Sequence, residues 1–232
     1  MPRPPIRPAW PNRALWRLVA ALVALWPGAA AAHPHVFIET GRGLLFDDLG
    51  RLVAVEVSWR YDALYSLMMI ADHGLDGDGD GLPDAARLAR FAGQDVDWAA
   101  GFPGHLDLRI GGQAVALAPP EDHRAFYVEG RIITTHRRPL RQPVQIGKDQ
   151  RLDLRAYDPE FFVDYTTPDP PAIRGRADCR VTRRAPEPSA ADQALLARLA
   201  ALDMSQDAAD LADLPDVGIR FATVDEIRCG GR

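Results

Sequence analysis

Two stretches, His35-Val-Phe-Ile-Glu-Thr40 running on to Leu44-Leu-Phe46, and Leu52-Val-Ala-Val-Glu-Val-Ser-Trp59, flank the turn-forming Asp47-Asp-Leu-Gly50. Apolar and polar residues alternate on both sides of the turn, which is the period of a strand with one buried face. The Asp and Gly residues at the junction supply side-chain acceptors and tolerate a left-handed backbone. The pair therefore predicts an antiparallel hairpin.

Downstream the period changes. Leu64, Tyr65, Leu67, Met68 and Ile70 fall at helical spacing, and Ala85 to Phe91 is a second short helix candidate. Strand patterns resume at His105 to Ile110, followed by the turn Gly111-Gly112 and Ala114 to Leu117. Further strand signals are Phe126 to Val128, Ile132-Ile133, Val144 to Ile146, Leu152 to Tyr157 and Cys179 to Thr182. After Ala185-Pro-Glu-Pro-Ser189, Ser189 is placed to cap a helix over residues 190–202, with Asp192 in its first turn where a negative charge suits the dipole. The segment from Ile219 to Cys229 reads as a last strand. The predicted fold is mainly β (α+β): an antiparallel, sandwich-like body with a helix-loop-helix insertion and a C-terminal helix. The β-rich body is expected over residues 33–184, with the insertion at about 61–92, and the C-terminal helix and strand over 185–232.

The first residues read as an export signal. Arg3, Arg7, Arg13 and Arg17 precede the apolar run from Leu18 to Leu25, and Ala30 and Ala32 provide the small residues of a cleavage site. Residues 1–32 are expected to be a signal peptide and His33 the mature terminus. The apolar run is about half of what a membrane span needs, and nothing later is longer. The formal charge is −5, and removing four arginines and no carboxylate leaves −9. With Lys148 the only lysine and no basic stripe, nucleic acid is not an expected partner. In an oxidising compartment the two cysteines, Cys179 and Cys229, are expected to form a disulfide that ties the tail to the body.

Two constellations point to metal ions. Asp76, Asp78, Asp80, Gly81 and Asp84 match positions 1, 3, 5, 6 and 9 of an EF-hand calcium loop, and Leu82 at position 7 would offer its carbonyl. Position 12, which should hold a bidentate Glu, is Arg87. The alternative is a solvated Asp-Gly loop without a cation. The second constellation is the start His33-Pro34-His35, where the α-amino group and two imidazoles suit a borderline cation such as nickel, zinc or copper. Pro34 lacks a backbone N–H, so a square-planar site using deprotonated amides is blocked. His73, which borders the acidic loop, and His123, which follows Glu121-Asp122, are further donors on offer, but taken singly His73, His105, His123 and His136 read as surface or hydrogen-bonded histidines. In Tyr157-Asp-Pro-Glu-Phe-Phe-Val-Asp-Tyr165, Asp158 and Asp164 are read as turn and core residues, with roles as ligands or histidine partners as the alternative. There is no Gly-x-Ser-x-Gly elbow, phosphate-binding loop or His-Glu-x-x-His, so an enzyme is not expected.

The residues from Ala32 to Ile38, Ser58 to Ser66, the Asp-Gly loop, Tyr157 to Tyr165, and Cys179 with the late Phe221-Ala222 and Cys229 resemble a bacterial family of unknown function. That family is described as the periplasmic component of an uncharacterised ABC-type transport system, and its members are often encoded beside nickel/cobalt permeases. The resemblance implies a periplasmic location and an inner-membrane metal permease as partner. It leads to the expectation of a metal-binding accessory protein, with a calcium-stabilised interaction module as the alternative.

Overall fold

The computed structural model describes residues 36–199 and 216–230. The predicted signal at 1–32 and both His33 and His35 lie outside the described residues. Strand β1 (Val36–Phe46) and strand β2 (Arg51–Tyr61) form the antiparallel hairpin predicted from the alternation. Asp47 makes the turn. Its carboxylate accepts the N–H groups of Leu49 and Arg51, and Gly50 supplies the left-handed φ of +73°. Inward residues of β2 end on Trp59, which is 1% exposed, and Tyr61.

Tyr61 closes the strand, and helix α1 (Ala63–Asp72) follows, so the insertion begins just after the expected residue 61. Asp62 caps it by accepting the N–H of Tyr65 at 2.8 Å. Helix α2 (Ala85–Phe91) follows the acidic loop, and both helices lie between β2 and β3. Next come β3 (Leu106–Ile110), β4 (Gln113–Ala114), β5 (Glu121–Val128) and β6 (Arg131–Gln145). The two short strand signals at 132–133 and 144–146 thus belong mostly to one long strand. The intervening Pro139 is tolerated because it pairs with Ala54 where the register with β2 shifts, and its carbonyl accepts from Ala118. The chain continues through β7 (Leu152–Ala156), β8 (Val163–Thr166), β9 (Ala172–Arg174), β10 (Cys179–Arg184), α3 (Ala190–Leu199) and β11 (Val224–Cys229).

The strands make two sheets. The first runs β5-β6-β2-β1-β8 with β9 also on β1, and the second β10-β11-β7-β3-β4. The expected all-antiparallel body is corrected here: β8 and β9 run parallel to β1. β8 reaches β1 from far along the chain, and β9 continues along β1 after residues 167–171, a placement that alternation within a strand does not reveal. Leu44, Val55, Trp59 and Ile132 from the first sheet and Leu108, Leu152, Leu154 and Ile227 from the second belong to one hydrophobic cluster.

A buried ion pair crosses between the sheets. Arg42 on β1 meets Asp225 on β11 at 2.8 Å, with both side chains fully buried, and Arg183 adds a bond to Asp225 at 3.0 Å. Burial pulls the Arg42 guanidinium below its ordinary range, against the attraction of Asp225. The disulfide Cys179–Cys229 joins directly opposed residues of β10 and β11 and brings the last strand home. Ser189 and Asp192 cap α3 reciprocally. The Asp192 carboxyl is lowered to about 2 by Ser189 and by Arg220. Among the described residues, no helix is long and apolar enough to cross a membrane.

Candidate functional site

The acidic loop hangs from a fixed base. Leu75 is 3% exposed, its N–H bonds Ile70 O, and its carbonyl accepts the N–H of Asp84, so both ends of the loop are pinned. Within it the carboxylates fold the backbone around themselves. Asp76 accepts from Gly79 at 2.7 Å and Gly81 at 2.9 Å, Asp78 from Asp80, and Asp80 from Leu82. Gly79 and Gly81 hold φ of +80° and +86°, which only glycine adopts without strain. The Gly81 N–H is the leading cause that keeps the Asp76 carboxyl below its usual range.

Carboxylate oxygens of Asp76, Asp78 and Asp80 lie within 4.8 Å of one another. Oxygens at about 2.4 Å from one calcium ion can be up to roughly 5 Å apart, so this spacing fits a hard cation. Asp84 is not in that group. Its carboxylate accepts the N–H of Gly77 at 2.8 Å and pairs with Arg87 at 3.1 Å. Arg87 also donates to Gly74 O at 2.8 Å. The residue that breaks the calcium pattern at position 12 therefore engages the carboxylate at position 9. The Leu82 side chain is 54% exposed.

Four of the histidines lie inside the described residues, and none is in the group formed by the loop carboxylates. His73 packs edge-on against Phe91 at 4.8 Å. The other three join a ring cluster around Trp59, where Trp98 stacks at 5.9 Å and His136 meets it edge-on at 4.7 Å. His123 sits 6.0 Å from Trp98 and 5.9 Å from His136, and Arg138 lies over the Trp98 ring at 5.5 Å. His136 is 4% exposed and its Nε2 has no hydrogen-bond partner among the described residues. Burial, then the charge of Arg138, then His123, bring its pKa down to about 3, so it is neutral.

At the edge of the cluster, His105 bridges Tyr165 and Asp158. Its Nδ1 is 3.0 Å from the Tyr165 hydroxyl and its Nε2 is 3.4 Å from Asp158. Asp158 also accepts the N–H groups of Glu160, Phe162 and Val163. It thus serves as both turn residue and histidine partner, the two roles read from the sequence. Asp-His-hydroxyl order resembles a nucleophile relay, yet burial raises the Tyr165 hydroxyl far above its ordinary pKa. The adjoining hollow, about 10 Å³, has room for roughly one water. The arrangement braces β8 against the start of β3. Asp164 is half-buried, and burial raises its carboxyl.

A family model described as a protein of unknown function, DUF1007, matches residues 18–229. The chain belongs to this family. No curated protein matches it. In this DUF1007 chain Asp76, Asp78 and Asp80 come together while Asp84 turns to Gly77 and Arg87, and Trp59, Trp98 and His136 are drawn from separate segments. Sequence reasoning missed Asp95, which accepts from the Tyr61 hydroxyl at 2.9 Å and the Thr134 hydroxyl at 2.5 Å and anchors the chain after α2. Its only local signal is a polar residue in the turn that ends a helix.

Proposed function

We propose that this protein is an extracytoplasmic metal-binding accessory protein that works with a transition-metal permease. The observation that supports it is the convergence of Asp76, Asp78 and Asp80 on a pinned loop. Three carboxylates held within 4.8 Å repel one another without a cation, and their backbone bonds keep them in place. The hard-cation site is EF-hand-like in its spacing and lacks the bidentate closing ligand, so its affinity falls in the range of about 10⁻⁴–10⁻³ M. The transition metal belongs to the histidine start, His33 and His35, where an imidazole and the freed amine make a soft-to-borderline donor set. The signal-like N-terminus and the disulfide support a periplasmic location.

Calorimetric titration of exported protein with calcium, nickel, copper and zinc tests this reading. Calcium heat should vanish in an Asp78→Asn/Asp80→Asn variant, and a stoichiometric transition-metal site should vanish in His33→Ala/His35→Ala. Absence of any transition-metal site in the intact protein sinks the accessory role.

A second reading is a calcium-stabilised interaction module. It is favoured by α1, which leads into the loop and exposes Leu64, Leu67 and Met68 at 70%, 54% and 50%. Calcium raising the melting temperature with no transition-metal binding would select it.

A further inference from the structure

The outer face of the first sheet carries a hollow of about 530 Å³, within the size range of small-molecule sites. Cross-strand register places Arg124 of β5, Thr135 of β6, Ser58 of β2 and Gly41 of β1 in one row along its floor. Neighbours in such a row stand about 4.8 Å apart, close enough for one small ligand to touch several. A methyl group at Gly41 would collide with the Ser58 hydroxyl, so glycine keeps the β1 end of the row low. Phe126, two residues along β5 from Arg124, presents its ring on the same face and is 45% exposed.

The charges of the lining are unevenly matched. Arg42 has Asp225, Arg137 has Glu121 and Asp122 at 2.7 and 3.0 Å, and Arg174 has Glu56. Arg124 alone among these guanidiniums has no carboxylate within the described residues. The hydroxyls of Ser58 and Thr135 likewise have no protein hydrogen-bond partner there. One guanidinium fork and two hydroxyl donors therefore remain available side by side, next to an exposed aromatic ring. Few convergent polar groups beside an apolar surface is the usual make-up of a small-ligand site.

We propose that this hollow binds a small organic carboxylate. Arg124 takes the carboxylate through its planar fork, the Thr135 and Ser58 hydroxyls donate to it, and the apolar part of the ligand lies against Phe126. The fork alone would also suit inorganic phosphate, but phosphate leaves the ring unused. This assignment does not depend on the metal-binding reading, since no residue is shared with the acidic loop or the histidine start.

Nuclear magnetic resonance titration of the full chain with benzoate tests it, with acetate, inorganic phosphate and neutral benzamide as comparators. Benzoate should shift the amide signals of residues 41, 58, 124 and 135 saturably. It should bind about fivefold more tightly than acetate because of the ring contact. Arg124→Gln should weaken benzoate by about tenfold or more. Thr135→Val, which keeps the shape and removes the hydroxyl, should weaken it by about fivefold. Both side chains point away from the core, and unchanged circular dichroism and melting temperature would confirm that the variants fold. The proposal is overturned if benzoate leaves the row unshifted, if it binds Arg124→Gln equally well, or if phosphate or benzamide binds as tightly.

Discussion

The acidic loop and the ring cluster hold the same kinds of polar residue in opposite physical settings. In the loop, Asp76, Asp78 and Asp80 face solvent and bond backbone groups no more than five residues away. In the cluster, His136 is buried and His105 half-buried among rings from β2, β8 and the segment after α2, and ring partners lie far off in the chain. The loop is thus a local device whose charge calls for a cation from outside. The cluster is a tertiary device whose polar groups are kept neutral or braced from within. Changes in the cluster should act on the stability of the whole molecule, and changes in the loop on ion binding.

Trp59→Ala gives the largest test of that division. The ring is 1% exposed and touches Trp98, Phe102, His136 and Tyr165, so its loss should cost about 3–5 kcal/mol in denaturant unfolding. A cost below about 1 kcal/mol, the size expected of a surface substitution, would show that the cluster is not a core.

A pH-dependent loss of stability should come next in size. His136 has its pKa lowered from 6.5 to about 3, so the unfolded chain binds this proton and the folded chain does not. Stability from this group is therefore full above pH 6.5 and falls as pH drops toward 3, by up to about 1.4 kcal/mol per unit. Between pH 6.5 and 5 the intact protein should lose about 1.6 kcal/mol more than His136→Gln does. Parallel pH profiles for the two proteins would mean that the imidazole is protonated in place.

Legibility in the sequence followed the same division. The hairpin was readable because alternation, turn chemistry and a second alternation lie within Val36 to Trp59, and the loop was readable because its ligands are spaced by two. The ring cluster was not, since no local pattern joins Trp59, Trp98, His136 and Tyr165 until the register of β2 with β6 sets Trp59 opposite Thr134, beside His136. The parallel placement of β8 and β9 on β1 was hidden for the same reason, as strand order is decided by long-range packing and leaves no local period. Arg87 is a defect in the calcium pattern of the sequence, whereas its bond to Asp84 exists only in the three-dimensional loop.

Arg87 is also the lever for a smaller effect. Arg87→Glu removes the guanidinium that holds Asp84 and puts a carboxylate at the twelfth position of the loop. Calcium affinity should rise by about tenfold or more, read by calorimetry, with Ala as a control that frees Asp84 without adding a ligand. If the Glu variant binds no better than the Ala variant, α2 does not bring this position to the cation.

The smallest expected effect separates the loop from the cluster most cleanly, because its sign depends on the cation. Without added metal, Asp78→Asn removes one of three mutually repelling carboxylates, while the amide oxygen can still accept the Asp80 N–H. Stability should stay the same or rise by about 0.5 kcal/mol, the scale of an exposed charge pair. With calcium well above its dissociation constant, the intact protein should gain stability through binding, and the variant should gain less. The two melting curves should therefore cross in order as calcium is added. A variant that is less stable by the same margin with and without calcium would mean that Asp78 holds the turn through its charge, and the loop would then be a structural element like the cluster.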